Sequence, residues 1–600
     1  MVKKLLKNHS SVLTAVLVNA FFLTFILLLC GAYYEVSDDW FFAKNIAGGH
    51  YDYTFCSFFI QYLTGLVQKV IYPVNAFIVV QIALGFVALS TICYIFLETF
   101  KFKKGILLVL ILECLFAINI YSIVTFTKTA AFLLVAGGLM MLWSYHNKKH
   151  LGFWVYGIVL VLFGSFYRIK IFYSVLAIFF VAIAACILSK LERVSFKDML
   201  VAVKKVLNVR TVSMVLVMFL VVFSYEIVSR QMIYSGEGMD YYKEYNSLRS
   251  SVVDFTLPGY DEGGNAELYN SIGISRNDYK MLKNWYLDDG GNADVETLTK
   301  VCEIQKIARD SFLRIVKKML IAEWTAVLDL QPEGILIIAY IVLSALILLL
   351  YKNKSFLFFG MITTMIVSLY TYLWYEGRCN YRAIFSIVLA SVVCLLYCTR
   401  FLEYRDFLQK IKENKNRLFS NSLTAVCLAF IGVFLYCTTA IVPDKLPVSL
   451  PDGYPVLEEY ILAPENEGKV FALSRKSYLV LRNAKKMRNP LVLDYEEDAF
   501  DRCVYFGNTY YAHPRYNELL ASVGVDNLYT DIIDNENIYF VDRNDITMFI
   551  RYLNEHYDDE DTVFGYKTVK KMSPFAIYRI VSYDRAEIEK QQQAQAQSLS

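Results

Sequence analysis

The sequence predicts a polytopic α-helical membrane protein of about eleven transmembrane helices, N-terminus in and C-terminus out, with a soluble external α/β or α+β C-terminal domain. Three observations predict it. Hydrophobic residues make up 56% and aromatic residues 16% of the 600, with a mean hydropathy of +0.41, outside soluble globular usage. Apolar runs recur at lengths that fit the roughly 30 Å hydrocarbon core. The lysines and arginines between those runs sort by side of the membrane. A net charge of +3 is small, and because the basic residues sort by side of the membrane rather than pooling in one patch, no nucleic-acid partner is expected.

The N-terminal Met1-Val2-Lys3-Lys4-Leu5-Leu6-Lys7 and the following apolar run could mimic a secretory signal. That run, Val12 to Tyr33, is long enough to span and lacks a small-x-small cleavage site, so it reads as an uncleaved first helix. Further spans are expected at Val74 to Leu97, Gly105 to Ile123, Ala130 to Tyr145, Phe153 to Phe166, Ile171 to Leu188, Val212 to Val228, Ile335 to Leu350, Phe356 to Tyr372, Ile384 to Leu396 and Leu423 to Cys437. With this set, Lys3, Lys4, Lys7, Lys101, Lys103, Lys104, Lys148, Lys149, the cluster from Lys190 to Arg210, Lys352, Lys354 and the cluster from Arg400 to Arg417 all fall on the cytoplasmic side. Counting Phe55 to Ile71 as another span would invert the later loops, so it is expected to be a membrane-hugging or re-entrant helix in the first external loop.

Residues 1–442 thus form the membrane domain, with a first external loop at 34–73 and a large one at 231–334. The large loop is polar and carries an amphipathic, partly basic helix expected around Ile304 to Leu320. Residues 443–583 read as a folded external domain. Its strand-like pieces are Val470 to Leu473, Leu491 to Leu493, Ile538 to Val541 and Ala576 to Val581; its helix-like pieces are Ser477 to Lys486 and Asp545 to Glu555. The glutamine-rich stretch within 584–600 is expected to be an unfolded tail.

Most of the 12 cysteines lie in apolar runs and no CxxC pair occurs, so neither a disulfide framework nor a cysteine metal site is expected. Walker, GxGxxG, GxSxG and HExxH motifs are absent too, which argues against nucleotide hydrolysis.

The chain is organised around Asp38 and Asp39, adjacent carboxylates where the first helix leaves the bilayer. Either could simply cap a helix beginning at Trp40. The functional reading makes one a general base that takes a proton from an acceptor hydroxyl, with a preference for Asp39, while its neighbour orients the acceptor or binds a divalent cation, Mg or Mn. His50 and Asp52 follow in the same loop as candidate substrate contacts.

Cations occupy outer turns that normally lack them: Lys128, Arg168, Lys170, Arg378 and Arg382. Lys128, Arg168, Arg378 and Arg382 have the polarity wanted by a phosphate at the head of a lipid, though each could instead meet membrane lipid headgroups. In the large loop Asn246, Arg249 and Asp254 lie among tyrosines, a setting suited to sugar contacts. Asp288, Asn292, Asp294 and Glu296 alternate loosely like a calcium loop but lack EF-hand spacing. Glu226 and Arg230, four apart, read as a helix-end ion pair.

Asp38-Asp39-Trp40-Phe41-Phe42, then Gly48-Gly49-His50-Tyr51-Asp52, the amphipathic segment before the second span and the external C-terminal domain together resemble membrane glycosyltransferases of the GT-C superfamily. Within that superfamily the likeness is to bacterial enzymes that decorate cell-wall polymers, teichoic acids or surface polysaccharides; no WWD-like motif is present. The resemblance implies a GT-C-like fold and a polyprenyl-phosphate-linked sugar donor. It also implies inversion at the anomeric centre, with or without a divalent cation, and Asp38 or Asp39 as base or acceptor ligand.

On that resemblance the chain is expected to move a sugar to a hydroxyl of a glycopolymer acceptor at the outer face of a bacterial plasma membrane. A separate glycosyltransferase would make the lipid-linked donor on the cytoplasmic side. A transporter or flippase of lipid-linked glycans would grip the same phosphate, but should show more mid-span polarity than Glu113 supplies. A non-catalytic scaffold would leave the aspartates dispensable.

Overall fold

A computed structural model describes residues 10–189, 209–255, 257–286, 293–308, 310–352, 354–405, 453–486, 490–493, 499–507, 511–543, 546–557 and 561–587, with isolated residues 429, 432, 433, 436 and 590 besides. The expected span Leu423 to Cys437 and most of the glutamine-rich tail lie outside the described residues. So do most of the Lys190 to Arg210 cluster, the Arg400 to Arg417 cluster beyond residue 405, and Asp288 and Asn292.

The chain opens with helix α1 (Ser10–Cys30) and the short strand β1 (Tyr33–Tyr34), followed by α2 (Ser37–Ala47), α3 (Phe58–Ile71) and α4 (Ala76–Thr99). Next come α5 (Phe102–Phe116), α6 (Ile118–Tyr121), strand β2 (Ile123–Val124), α7 (Phe126–His146), α8 (Leu151–Tyr167), α9 (Ile169–Ser189) and α10 (Val209–Ile233). The large loop folds into α11 (Met239–Val253), α12 (Asn265–Ser271), α13 (Arg276–Lys283) and α14 (Val295–Ile307). Then α15 (Phe312–Leu328) leads into α16 (Pro332–Leu350), α17 (Lys354–Tyr375) and α18 (Tyr381–Cys398).

Among the described residues eight helices are long and apolar enough to cross a membrane, so the chain is a multi-pass membrane protein. They are α1, α4, α7, α9, α10, α16, α17 and α18. The other two described expectations, Gly105 to Ile123 and Phe153 to Phe166, correspond to shorter helices: α5 with α6 across Ala117, and the 17-residue α8.

The α3 segment is a 14-residue helix with its polarity turned inside out. Gln61, Thr64 and Gln68 are buried, whereas Tyr62, Leu66 and Val70 are exposed, Val70 by 82%. The inward glutamines stand in for missing backbone partners. Gln61 bonds the main chain of Tyr53 and Cys56, and Gln68 bonds Val74 and Ala76. The helix is thus apolar outward and, at 14 residues, short for a span.

Contacts divide the chain into two compact units, one of residues 1–233, 312–448 and 489–493, the other of residues 234–311, 449–488 and 494–600. The large loop is therefore split. Its first part belongs with the C-terminal segment, and the helix expected around Ile304 to Leu320 is two helices, α14 and α15, on either side of the division.

The second unit continues with α19 (Tyr454–Leu462), β3 (Val470–Leu473), α20 (Arg475–Lys486), β4 (Cys503–Tyr505), α21 (Pro514–Ser522), α22 (Leu528–Asp534), β5 (Ile538–Asp542), α23 (Thr547–His556), β6 (Thr562–Met572) and β7 (Phe575–Asp584). Its sheet runs β4-β3-β5-β7-β6, parallel across β4, β3 and β5 and antiparallel beyond. Phe506, Phe540, Phe549, Tyr529 and Leu553 pack in its core. One expected strand is corrected: Leu491 to Leu493 lies outside this sheet and belongs to the first unit, where Val492 forms an isolated antiparallel bridge with Val74. Its hydrophobicity serves that seam rather than the sheet.

Candidate functional site

The site is built where the chain leaves α1. Strand β1 pairs in parallel with β2, Tyr33 against Ile123 and Tyr34 against Val124, and Glu35 N–H donates to Val124 O at 3.0 Å. This staple brings the segment after α1 against the start of α7. Helix α2 begins at Ser37 rather than Trp40, with Val36 as N-cap making no side-chain bond, so both aspartates lie in its first turn. There their charge favours the helix N-terminus.

The two aspartates then divide. Asp39 is fully buried, and its Oδ1 accepts the N–H of Phe126 at 3.0 Å. The N-cap of α7, Thr125, makes no side-chain cap bond, so Asp39 supplies from another helix the acceptor that the first turn of α7 lacks. Its Oδ2 is buried without a hydrogen-bond partner among the described residues. Burial raises the Asp39 carboxyl from 3.8 to about 7, and the Asp38 charge adds to this; the Phe126 amide, the Thr125 hydroxyl and Arg382 oppose it. Asp38, its neighbour, is only half-buried.

Cations from distant turns converge on this pair. Arg168 follows α8 as its C-cap, donates from Nη1 to Phe55 O at 3.0 Å and lies over the rings of Phe55 and Phe126 at 5.3 and 5.4 Å. Burial, with the charges of Arg382 and Arg378, pulls its pKa down to about 10, and Asp38 opposes that shift. Arg378 lies in the turn after α17 and Arg382 in the first turn of α18, both half-buried. Arg382 and Asp38 therefore act on the charge of Asp39, and Arg382, Arg378 and Asp38 on that of Arg168.

What holds Arg168 there is glycine. A Cβ on Gly164 would lie 2.7 Å from Leu134 Cγ and 2.9 Å from Ala130 O, and one on Gly137 would lie 2.5 Å from Gly157 O. Only glycine lets α7 and α8 approach this closely, which sets the end of α8 against the start of α7.

Lys128, expected as a ligand of the donor phosphate, lies inside the protein. It is fully buried in the first turn of α7, with Nζ 2.7 Å from Glu35 Oε2, 2.8 Å from Asn119 Oδ1 and 3.2 Å from Ile123 O. The ammonium is thus held by an ion pair with Glu35 and by hydrogen bonds to Asn119 and Ile123. Tyr381 also donates to Asn119 Oδ1, at 3.0 Å, which ties the start of α18, and so Arg382, to this buried polar chain. Sequence reasoning missed Glu35, Asn119 and Tyr381; only the fold brings them together, and no local spacing links them.

His50 lies exposed just past α2, its backbone N–H donating to Asn45 O at 2.9 Å, and Asp52 is half-buried beyond it. Asn246, Arg249 and Asp254 fall in the second unit. Asn246 Oδ1 accepts from Arg249 Nε and Nη2 at 3.0 and 2.7 Å, Arg249 is buried, and Asp254 is the C-cap of α11. Asp294, expected in a loose calcium-like alternation, instead caps α14 by accepting Thr297 N–H, and Glu296 pairs with Lys300. Arg230 and Glu226 form the expected helix-end pair at 2.8 Å.

A candidate metal-binding cluster is present, in the second unit. One ligand atom from each of Asp278, Glu555 and His556 lies within 4.8 Å of the others, the only such group among the described residues. The possible divalent cation of the sequence analysis thus has a candidate ligand set among the described residues, at these three residues rather than at Asp38 and Asp39. A Ser-x-x-Asp capping pattern at Ser275 to Asp278 is legible in the sequence, but its partners on α23 are not.

No family model and no curated protein matches the chain. Among solved structures it is similar to ArnT from Cupriavidus metallidurans, in crystals bound to undecaprenyl phosphate and in the apo state. Each comparison gives a TM-score of 0.33 and 10% identity over 95% of this chain and 98% of that one. A likeness of that size is too distant to inform the fold or the site.

Proposed function

We propose that the chain is a glycosyltransferase that moves a sugar from a polyprenyl-phosphate donor to a hydroxyl of a cell-wall or surface glycopolymer, on the outer face of the membrane. The observation that supports this reading is that Arg168, at the exit of a membrane helix, feels the charges of a half-buried carboxylate, Asp38, and of Arg378 and Arg382. A carboxylate can take the proton of the attacking hydroxyl. Guanidinium groups can receive the negative charge that builds on the departing lipid phosphate. Attack from the face opposite the phosphate inverts the anomeric centre. The preference for Asp39 as base is revised. A buried carboxylate fixed by Phe126 is better suited to holding the start of α7, and Asp38 is the one that an acceptor can reach.

The test is a transfer assay on the purified chain in lipid nanodiscs, with a polyprenyl-phosphate sugar and a glycopolymer acceptor, following release of polyprenyl phosphate. Arg378→Gln and Arg382→Gln are each expected to lower kcat/KM by roughly ten- to a hundredfold, equivalent to about 1.4 to 3 kcal/mol of phosphate stabilisation. Movement of the intact lipid-linked glycan across vesicles, with no release of polyprenyl phosphate, would establish a flippase instead.

A further inference from the structure

We propose that Asp278, Glu555 and His556 bind one divalent transition-metal ion of the zinc class, completed by water, and that the ion ties α13 to α23. This is independent of the transfer reaction. It concerns a site in the second unit, whose residues come from the large loop and from the C-terminal segment.

The ligand set is an imidazole and two carboxylates, each able to offer an atom to one centre. Nitrogen with carboxylate oxygen suits zinc-like ions, which accept three protein ligands plus water; calcium and magnesium favour shells of oxygen alone. The ligands are also held in place. Asp278 Oδ2 accepts the N–H of Ser275 at 2.8 Å, and its Oδ1 lies 2.6 Å from His556 Nε2. Ser275 Oγ donates to Glu555 Oε2 at 3.1 Å, so one serine orients both carboxylates from behind. The His556 ring rests against Tyr552, with centroids 4.6 Å apart.

The site is part-shielded without being sealed: the side chains of His556 and Asp278 are 20% and 11% exposed. A His556–Asp278 hydrogen bond alone would account for two of these groups. It gives no reason for Glu555, an exposed residue, to be turned by Ser275 towards the same point. An ion coordinated by all three would cross-link segments 278 residues apart in the chain.

The full-length chain, purified without a histidine tag and stripped with a chelator, would be titrated with zinc, magnesium or calcium alone. Bound metal is counted after dialysis, and amide hydrogen exchange is followed on α13 and α23. The expected result is one more zinc per chain in the parent than in Glu555→Gln or His556→Gln, with affinity at that site weakened at least tenfold in each. Exchange in both helices should slow on zinc addition. Glu555→Gln guards against a folding artefact, because the residue is exposed and its amide can still accept from Ser275. Equal zinc binding by parent and both variants, preference for magnesium or calcium, or unchanged exchange in α13 and α23 would each overturn the proposal.

Discussion

At the scale of single residues, two neighbouring aspartates hold different positions because successive side chains on a helix point in different directions. Asp39 faces the protein and caps α7, whereas Asp38 stays half-buried beside Arg168. The raised carboxyl of Asp39 has a consequence for stability. Its folded pKa, about 7, lies above the unfolded value near 3.8, so between those values the folded chain holds a proton that the unfolded chain has released. Stability from this group is therefore full below about pH 4, falls as pH rises towards 7, and is level above; about three pH units bound the effect at roughly 4 kcal/mol. Thermal unfolding of the parent against Asp39→Asn from about pH 4 to 8 should show the parent losing stability relative to the variant as pH rises. A constant difference would mean that Asp39 is ionised throughout. The pair of buried Lys128 with part-exposed Glu35 makes a second prediction. Lys128→Met leaves a carboxylate facing an apolar neighbour and should cost about 3 kcal/mol, and adding Glu35→Leu should recover most of it in the same unfolding measurement. The aspartate pair and the arginines were legible in sequence because charge beside a bilayer is rare. The pairing of Lys128 with Glu35 was not, since it depends on β1 aligning with β2 from a distant part of the chain.

At the scale of elements, long apolar runs showed themselves by composition, and α4, α7, α9 and α16 fall close to where those runs lie. Charge sorting set the α3 segment apart from the spanning runs, and it is a helix of 14 residues, while its buried glutamines needed the fold. In the second unit β6 was missed because Lys567, Lys570 and Lys571 break the apolar alternation; on an edge strand such charges discourage pairing with other chains. The close approach of α7 and α8 gives a prediction of its own. Gly164→Ala puts a methyl against the backbone of Ala130 and Leu134, which cannot yield as a side-chain tip would. It should destabilise the chain by about 1–3 kcal/mol and, by shifting Arg168, raise KM for the lipid-phosphate donor. Normal unfolding and donor KM in this variant would show that the helix contact does not set the arginine's position.

At the scale of the whole molecule, a multi-pass helical unit holds the carboxylate and arginine cluster, and a second unit folds from the large loop together with the C-terminal segment. In the sequence these stretches divide at 443, because the apolar runs end there. The joining of 234–311 to that later segment rests on tertiary contacts such as Asp278 with His556, which no local periodicity encodes. In the first unit the proposed site draws on turns from three regions of the chain whose charges influence one another. The division of labour between the two aspartates is the claim on which the proposed chemistry stands. Sugar transfer from a polyprenyl-phosphate donor, measured side by side for the parent, Asp38→Asn and Asp39→Asn, tests it most directly. The amide introduced by Asp39→Asn can still accept the Phe126 N–H, so this variant should keep transfer within about tenfold of the parent. Asp38→Asn should lose roughly a hundredfold or more, as removal of a general base does, while still binding donor. Full activity in Asp38→Asn, or loss confined to Asp39→Asn, would contradict the account.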